Sequence, residues 1–224
     1  MFNALLDLIY PHLCSACAER KPIQNSCMCL ECYHSLAPTS YHETEENALT
    51  DLFFGRIRLV KALAYFNFSK GSALQHLIHK LKYGNSPEIG VELGRDYGEL
   101  LKGVLGAVDC IIPVPLHPKK QRTRGYNQAT MFGQGLAERL NTKCLEGFLI
   151  RTVHTQTQTQ KSRVNRFANV SKAFKIKNVN VLKGKHILLV DDVITTGATI
   201  EACALQLEKI PDIRLSVACI ALAG

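Results

Sequence analysis

Near its C-terminal end the chain reads GKHILLVDDVITTGATIEAC, residues 184–203. Residues 186–190, HILLV, are apolar enough for an interior strand, and Asp191 and Asp192 follow at its carboxyl end. A short hydroxyl-rich loop comes next, and a helical pattern runs from about Ala198 to Lys209. Few arrangements accommodate that order. The first amides of a helix have no partner within it, so they point at whatever the loop holds. Together with the hydroxyls of Thr195, Thr196 and Thr199 they form an anion cradle that also includes Ala198, and Gly197 lets the backbone come close to the bound group. Two carboxylates beside a phosphate cradle suit a sugar diol, a divalent cation, or both. The loop has the form of a sugar-phosphate site. A plainer reading makes these residues helix caps only, but one such residue would satisfy that need.

The rest of the chain alternates strand and helix patterns. Residues 58–69, RLVKALAYFNFS, alternate as a strand. In GSALQHLIHKLKYG the residues Leu74, Leu77, Ile78 and Leu81 recur at helical spacing, and the pattern stops at Gly84. A second helix is predicted from Pro87 to about Val104. DCIIPVPLHP, residues 109–118, is a strand that must end at its prolines, because Pro113 and Pro115 cannot donate to a ladder. GYNQATMFGQGLAERL reads as a helix, and CLEGFLIRTV and IRLSVACIALA read as strands. Near-continuous apolar strands alternating with helices predict an α/β fold, a mostly parallel sheet flanked by helices. Such sheets bind ligands beyond the carboxyl ends of their strands. Two segments stand apart. Residues 40–53 are polar and acidic, a linker or an exposed helix, and residues 154–169, HTQTQTQKSRVNRFAN, lack periodicity, as functional or disordered loops do.

Nine cysteines are present, and five fall between residues 14 and 32. Cys14-x2-Cys17 and Cys29-x2-Cys32 are separated by 11 residues. This is the spacing of a small zinc ribbon, in which each tight turn aims two thiolates at one metal. Four thiolates close the coordination shell, so the zinc would be structural. Cys27 is a spare, or substitutes for Cys29. A disulfide framework is the alternative, and the odd count and a reducing compartment weigh against it. The division follows: residues 1–50 form a zinc-binding module with a linker, and residues 51–224 form the α/β domain.

The net charge of +8 is concentrated. No acidic residue lies between Asp109 and Glu138, or between Glu146 and Asp191, yet those two stretches hold 13 of the 27 basic residues. A cationic face for phosphates or nucleic acid fits this segregation, and so does a solvated basic surface. No apolar run approaches the roughly 18–20 residues needed to span a membrane. The N-terminal MFNALLDLIYPHLC lacks a basic n-region and a small-residue cleavage site, which argues against a signal peptide. A cytoplasmic protein without membrane insertion is expected.

The strand–DD–TTGAT loop closely resembles the phosphoribosyl-pyrophosphate (PRPP) loop of type I phosphoribosyltransferases. IPVPLHPKKQRTRGYNQA, residues 112–129, resembles the ComF family of phosphoribosyltransferase-like proteins. So does TQTQTQKSRVNRFANVSKAF, where Thr155, Gln158, Ser162, Arg163, Arg166, Asn169 and Phe174 fall at the family's spacing. The paired CxxC knuckles and LIHKLKYG fit as well. The resemblance implies that Asp191 and Asp192 hold the ribose hydroxyls and Mg2+, and that residues 195–199 cradle the 5-phosphate. It implies that Val114, Pro115, Leu116 and His117 form the pyrophosphate loop. It implies that the loop bearing Lys161, Arg163 and Arg166 closes over the leaving group. The reaction implied is pentosyl transfer with loss of pyrophosphate, and no residue pattern names the acceptor. The family's association with natural transformation further implies single-stranded DNA as a partner, with the competence DNA helicase and other DNA-uptake proteins beside it. A non-enzymatic DNA-binding adaptor and an ordinary nucleotide-salvage enzyme are the alternatives. Tyr126, Phe167 and Phe174, set among the basic residues, are either base-stacking positions or core residues.

Overall fold

The computed structural model describes residues 13–152 and 173–224, and these described residues form seven α-helices and six strands. In chain order these are α1 (Leu30–Ser35), α2 (Ala48–Phe53), β1 (Ala62–Asn67), α3 (Ala73–Tyr83), α4 (Pro87–Leu100), β2 (Cys110–Pro113) and α5 (Pro118–Arg124). Then follow α6 (Gln128–Leu140), β3 (Leu149–Arg151), β4 (Phe174–Ile176), β5 (His186–Ile194), α7 (Ala198–Leu207) and β6 (Arg214–Leu222). The expected parallel sheet is present: four strands in the order β1-β6-β5-β2, every pair parallel. Its strands are mostly apolar because both faces are covered. Leu63, Tyr65, Leu188, Val190, Ala218 and Ile220 pack with α3, α4 and α6 on one side. Ala62, Ala64, Ile187, Leu189, Val217 and Cys219 pack with α2 and α7 on the other. Among the described residues no helix is long and apolar enough to cross a membrane.

The helix limits follow local chemistry. Ser72 accepts the Gln75 amide and starts α3, and Gly84 ends it. α4 and α6 cross with backbones almost touching. A Cβ on Gly94 would lie 2.2 Å from the Phe132 carbonyl oxygen, and one on Gly135 would lie 2.1 Å from that of Val91.

Three expectations need revision. β5 does not stop at Val190. It pairs with β6 as far as Ile194, opposite Leu222, whereas β2 ends where Pro113 faces Val190. Asp191 and Asp192 therefore belong to the strand, on the part that overhangs its shorter neighbour. Residues 40–53 are not a bare linker, because Asn47 caps α2 through a capping box and binds the Ala62 carbonyl, and Leu49 and Phe53 are buried. Residue 50 thus lies inside a docked helix, and Cys14, Met28 and Cys29 share one apolar cluster with Leu63, Leu74 and Tyr97. Third, residues 149–151 do not join the main sheet but form an antiparallel ribbon with β4. Residues 153–172, which link those two strands and carry Lys161, Arg163 and Arg166, lie outside the described residues.

His186 ties the start of β5 to its surroundings. Its Nδ1 lies 3.0 Å from the Ala107 carbonyl, which can only accept, so Nε2 accepts from the Ser216 hydroxyl at 2.9 Å. Burial holds the imidazole below its ordinary pKa. The unfolded chain therefore takes up a proton that the folded chain refuses, and stability falls as pH drops from about 6.5 toward the depressed folded value, by at most ~1.4 kcal/mol per pH unit. His186→Gln removes that contribution. Denaturant titrations should show the wild type's advantage over the variant shrinking across this window. A constant difference would contradict the buried neutral state.

Candidate functional site

The overhang of β5 leaves both aspartates at an open sheet edge. Asp191 Oδ1 accepts the Asp192 amide and Asp192 Oδ1 accepts the Val193 amide, each at 2.8 Å. The other Asp192 oxygen, Oδ2, lies 2.8 Å from Lys82 Nζ. Burial pushes the Asp191 carboxyl well above the usual carboxylate range, and the adjacent Asp192 charge pushes it further. Lys82 offsets only part of this. Two partly buried carboxylates and one ammonium leave excess negative charge, which a divalent cation or a pair of sugar hydroxyls would relieve. Lys82 is the residue that sequence reasoning missed. It stands in LIHKLKYG at the polar end of α3, and only the packing of α3 against the sheet brings it to Asp192.

Beyond β5, the Glu201 amide makes the first helical bond of α7, to the Gly197 carbonyl at 2.9 Å. Among the described residues, no backbone amide from Thr195 to Ile200 donates to another group of the chain. Thr195 and Thr196 are exposed, and Ala198 and Thr199 are half-buried. Gly197 also has a use that its sequence position does not reveal. It holds a φ of 72°, and a Cβ there would lie 2.7 Å from the Phe53 ring. Its missing side chain makes room for α2, so the glycine serves the fold. The buried Glu201 pairs with Arg56 Nη2 at 2.7 Å, which fastens the same loop-and-helix unit to the segment after α2.

The turn after β2 begins beside Val190, next to the aspartates, because β2 and β5 are neighbours. Val114 donates its amide to the Val190 carbonyl, and its own carbonyl accepts from Asn127 Nδ2 at 2.9 Å. Pro115 has no amide hydrogen. Neither Val114 nor Pro115 therefore has an amide to offer an anion. His117 Nδ1 also accepts the Lys119 amide and starts α5. The RGYNQ segment, residues 124–128, acts as a strap. Tyr126 donates its hydroxyl to the Leu81 carbonyl at 2.6 Å, Gln128 Nε2 reaches the same carbonyl, and Asn127 braces Val114. One short segment thus joins the end of α3, the turn after β2 and the start of α6.

Cys14, Cys17, Cys29 and Cys32 bring all four sulfurs within 4.8 Å of one another. A tetrahedral zinc with Zn–S of about 2.3 Å needs sulfurs about 3.8 Å apart, and Cys17 and Cys29 stand at 4.0 Å. The donor set fits the metal. Burial opposes ionisation of Cys14, but the amides of Cys17, Cys29 and Ala16 aimed at its sulfur bring it down to about 6. Cys27 lies outside the group. Its amide donates to Glu92 Oε2 at 2.7 Å, and burial, with the Glu92 charge, keeps its thiol protonated. Glu92 also accepts from the Ser26 hydroxyl, so α4 holds the knuckle in place.

Residues 127–222, from the start of α6 through β5 and its loop to the end of β6, match the family model described as "Phosphoribosyl transferase domain". The chain is 39% identical over 103 residues to competence protein F of Haemophilus influenzae, covering 46% of this chain and 45% of that protein. It is 35% identical over 139 residues to the DNA utilization protein YhgH of Escherichia coli, covering 58% of this chain and 59% of that one. Against competence protein ComFC of Bacillus subtilis, identity is 36% over 100 residues, covering 44% and 38%. The matched stretches thus span about half the length of these relatives.

Proposed function

We propose that the chain belongs to the ComF family of phosphoribosyltransferase-like proteins, that it binds PRPP with Mg2+ at the carboxyl ends of β2 and β5, and that it acts in the cytoplasm on single-stranded DNA during uptake. One observation carries the PRPP reading: two carboxylates at the end of β5 are followed by a run of amides that have no partner among the described residues, and the turn after β2 begins beside Val190. In this reading Thr195, Thr196 and Thr199, with the first amides of α7, hold the 5-phosphate. Asp191 and Asp192 hold the ribose hydroxyls and the cation. The turn of residues 114–117 faces the pyrophosphate, and Lys161, Arg163 and Arg166 supply it with positive charge. When bound, Mg2+ supplies positive charge to the pyrophosphate oxygens.

Such a site promotes displacement of pyrophosphate at ribose C1 through an oxocarbenium-like transition state. The chain contributes positioning, charge stabilisation of the leaving group and exclusion of water, and needs no covalent nucleophile. The names of the relatives, which concern competence and DNA utilization, support the DNA reading together with the segregated basic charge. That charge also favours a second reading, in which the protein is an adaptor that binds DNA beside other uptake proteins without turnover.

Titration calorimetry with Mg-PRPP tests the first reading. Asp191→Asn combined with Asp192→Asn should weaken binding by about 100-fold or more, since two charge-assisted hydrogen-bond acceptors are worth roughly 3 kcal/mol together. Unchanged affinity would refute the site. Pyrophosphate release in the presence of candidate acceptors separates the enzyme from the adaptor.

A further inference from the structure

Tyr126 and Phe174, two of the aromatics set among the basic residues, are not free to stack on a base. Tyr126 is half-buried with its hydroxyl bound to Leu81, and Phe174 is buried. Phe167 lies outside the described residues. The exposed ring on the basic side of the molecule is Tyr83, at the end of α3, with 67% of its surface open. The Arg124 guanidinium lies 5.0 Å over its centre. This pairing is built into the fold: Arg124 Nη1 donates at 2.9 Å to Oε1 of Gln128, a buried residue anchored in turn to the α3 terminus.

Tyr83 and Arg124 line a groove of about 590 Å³ with Lys82, Lys119, Lys120 and Arg122. Among the described residues, none that lines it is acidic. Lys119, Lys120 and Arg122 are exposed, and among the described residues none of them forms an ion pair. Lys82, already paired with Asp192, places the groove against the aspartate site.

We infer that this groove is a platform for single-stranded nucleic acid: Tyr83, steadied by Arg124, stacks on an unpaired base, and Lys119, Lys120 and Arg122 follow the adjoining phosphates. A row of unpaired cations matches a repeating anion, and an exposed ring beside a guanidinium offers a stacking face that any base can use. A duplex keeps its bases stacked inside and could use only the cations. The inference rests on the DNA part of the function proposed above. It adds the location of that surface and its preference for unpaired strands.

The test is fluorescence anisotropy of a labelled oligothymidylate across a salt series, with Mg-PRPP binding measured on the same preparations. Tyr83→Ala should weaken DNA binding roughly tenfold at every salt concentration, leave the slope of affinity against salt unchanged, and be rescued by Tyr83→Phe. Replacing Lys119, Lys120 and Arg122 together by alanine should flatten that slope by about 2, since each single-strand phosphate contact contributes roughly 0.7. Wild-type affinity in Tyr83→Ala, or a duplex that binds as tightly as the single strand, would overturn the platform while leaving the DNA reading intact. A wild-type protein that binds Mg-PRPP but no DNA would remove the DNA reading and this inference together, leaving the PRPP site standing.

Discussion

Cys14→Ser is expected to lower the unfolding free energy by about 4 kcal/mol or more and to leave the protein short of stoichiometric zinc; loss of a structural metal is among the few single changes with so large an effect. Cys14 is fully buried, and its sulfur accepts the Ala16 amide inside the cluster that also contains Leu63, Leu74 and Tyr97. Opening the knuckle therefore exposes part of the central core. The damage should also travel. Ala16 offers its carbonyl to His76 Nδ1 at 3.0 Å on α3, and the far end of the same helix carries Lys82 to Asp192. Metal content by atomic absorption, together with a urea unfolding midpoint, checks the first claim. Cys27→Ser is the comparison: it should keep its zinc, because its thiol stands outside the four-sulfur group. A Cys14→Ser protein with full zinc and an unchanged midpoint would contradict the assigned ligand set.

The second large effect comes from one added methyl group. Gly135→Ala should cost about 3 kcal/mol, which for a chain of this length means a Tm lower by roughly 6–12 °C. A Cβ at Gly135 would sit 2.1 Å from the Val91 carbonyl oxygen, 2.7 Å from the Arg95 nitrogen and 2.9 Å from the Gly94 carbonyl carbon. All three atoms are backbone, so no side chain can rotate away and α4 must separate from α6. The gain in helix propensity, about 1 kcal/mol, opposes this and is too small to win. Because α6 begins beside Asn127, which braces Val114, the shift should reach the site and weaken Mg-PRPP binding as well. Gln134→Ala, one residue away and exposed, should stay within about 0.5 kcal/mol of wild type. Calorimetric melting of both variants decides the matter, and equal melting temperatures would mean that the helices do not cross so closely.

Where a residue's role depends on its immediate neighbours in the chain, it was legible in advance. The apolar run into Asp191 and Asp192 could only be a buried strand leading to a loop and a helix start. Gly84 marked the end of α3 through local chemistry that involves no distant residue. Two CxxC turns 11 residues apart defined the four sulfurs, although whether Cys27 stood among them depended on Glu92, 65 positions away.

Where a role depends on which element ends meet, it was not legible. β5 runs on past Val190 because β6 is long enough to pair with it and β2 is not. Gly197 also makes room for Phe53, which a local reading takes for part of a linker or an exposed helix. Tyr126 and Tyr83 both stand near basic residues in the sequence. Packing ties the first to Leu81 and leaves the second open under Arg124. Local propensity, cap chemistry and ligand spacing act over a few residues, so the chain alone determined the strand–loop–helix unit, the α/β class and the paired CxxC turns. Contacts between residues tens of positions apart form only when the sheet order and helix crossings bring them together. Lys82 on Asp192, the strap at residues 124–128 and the cationic groove were therefore decided by the tertiary structure.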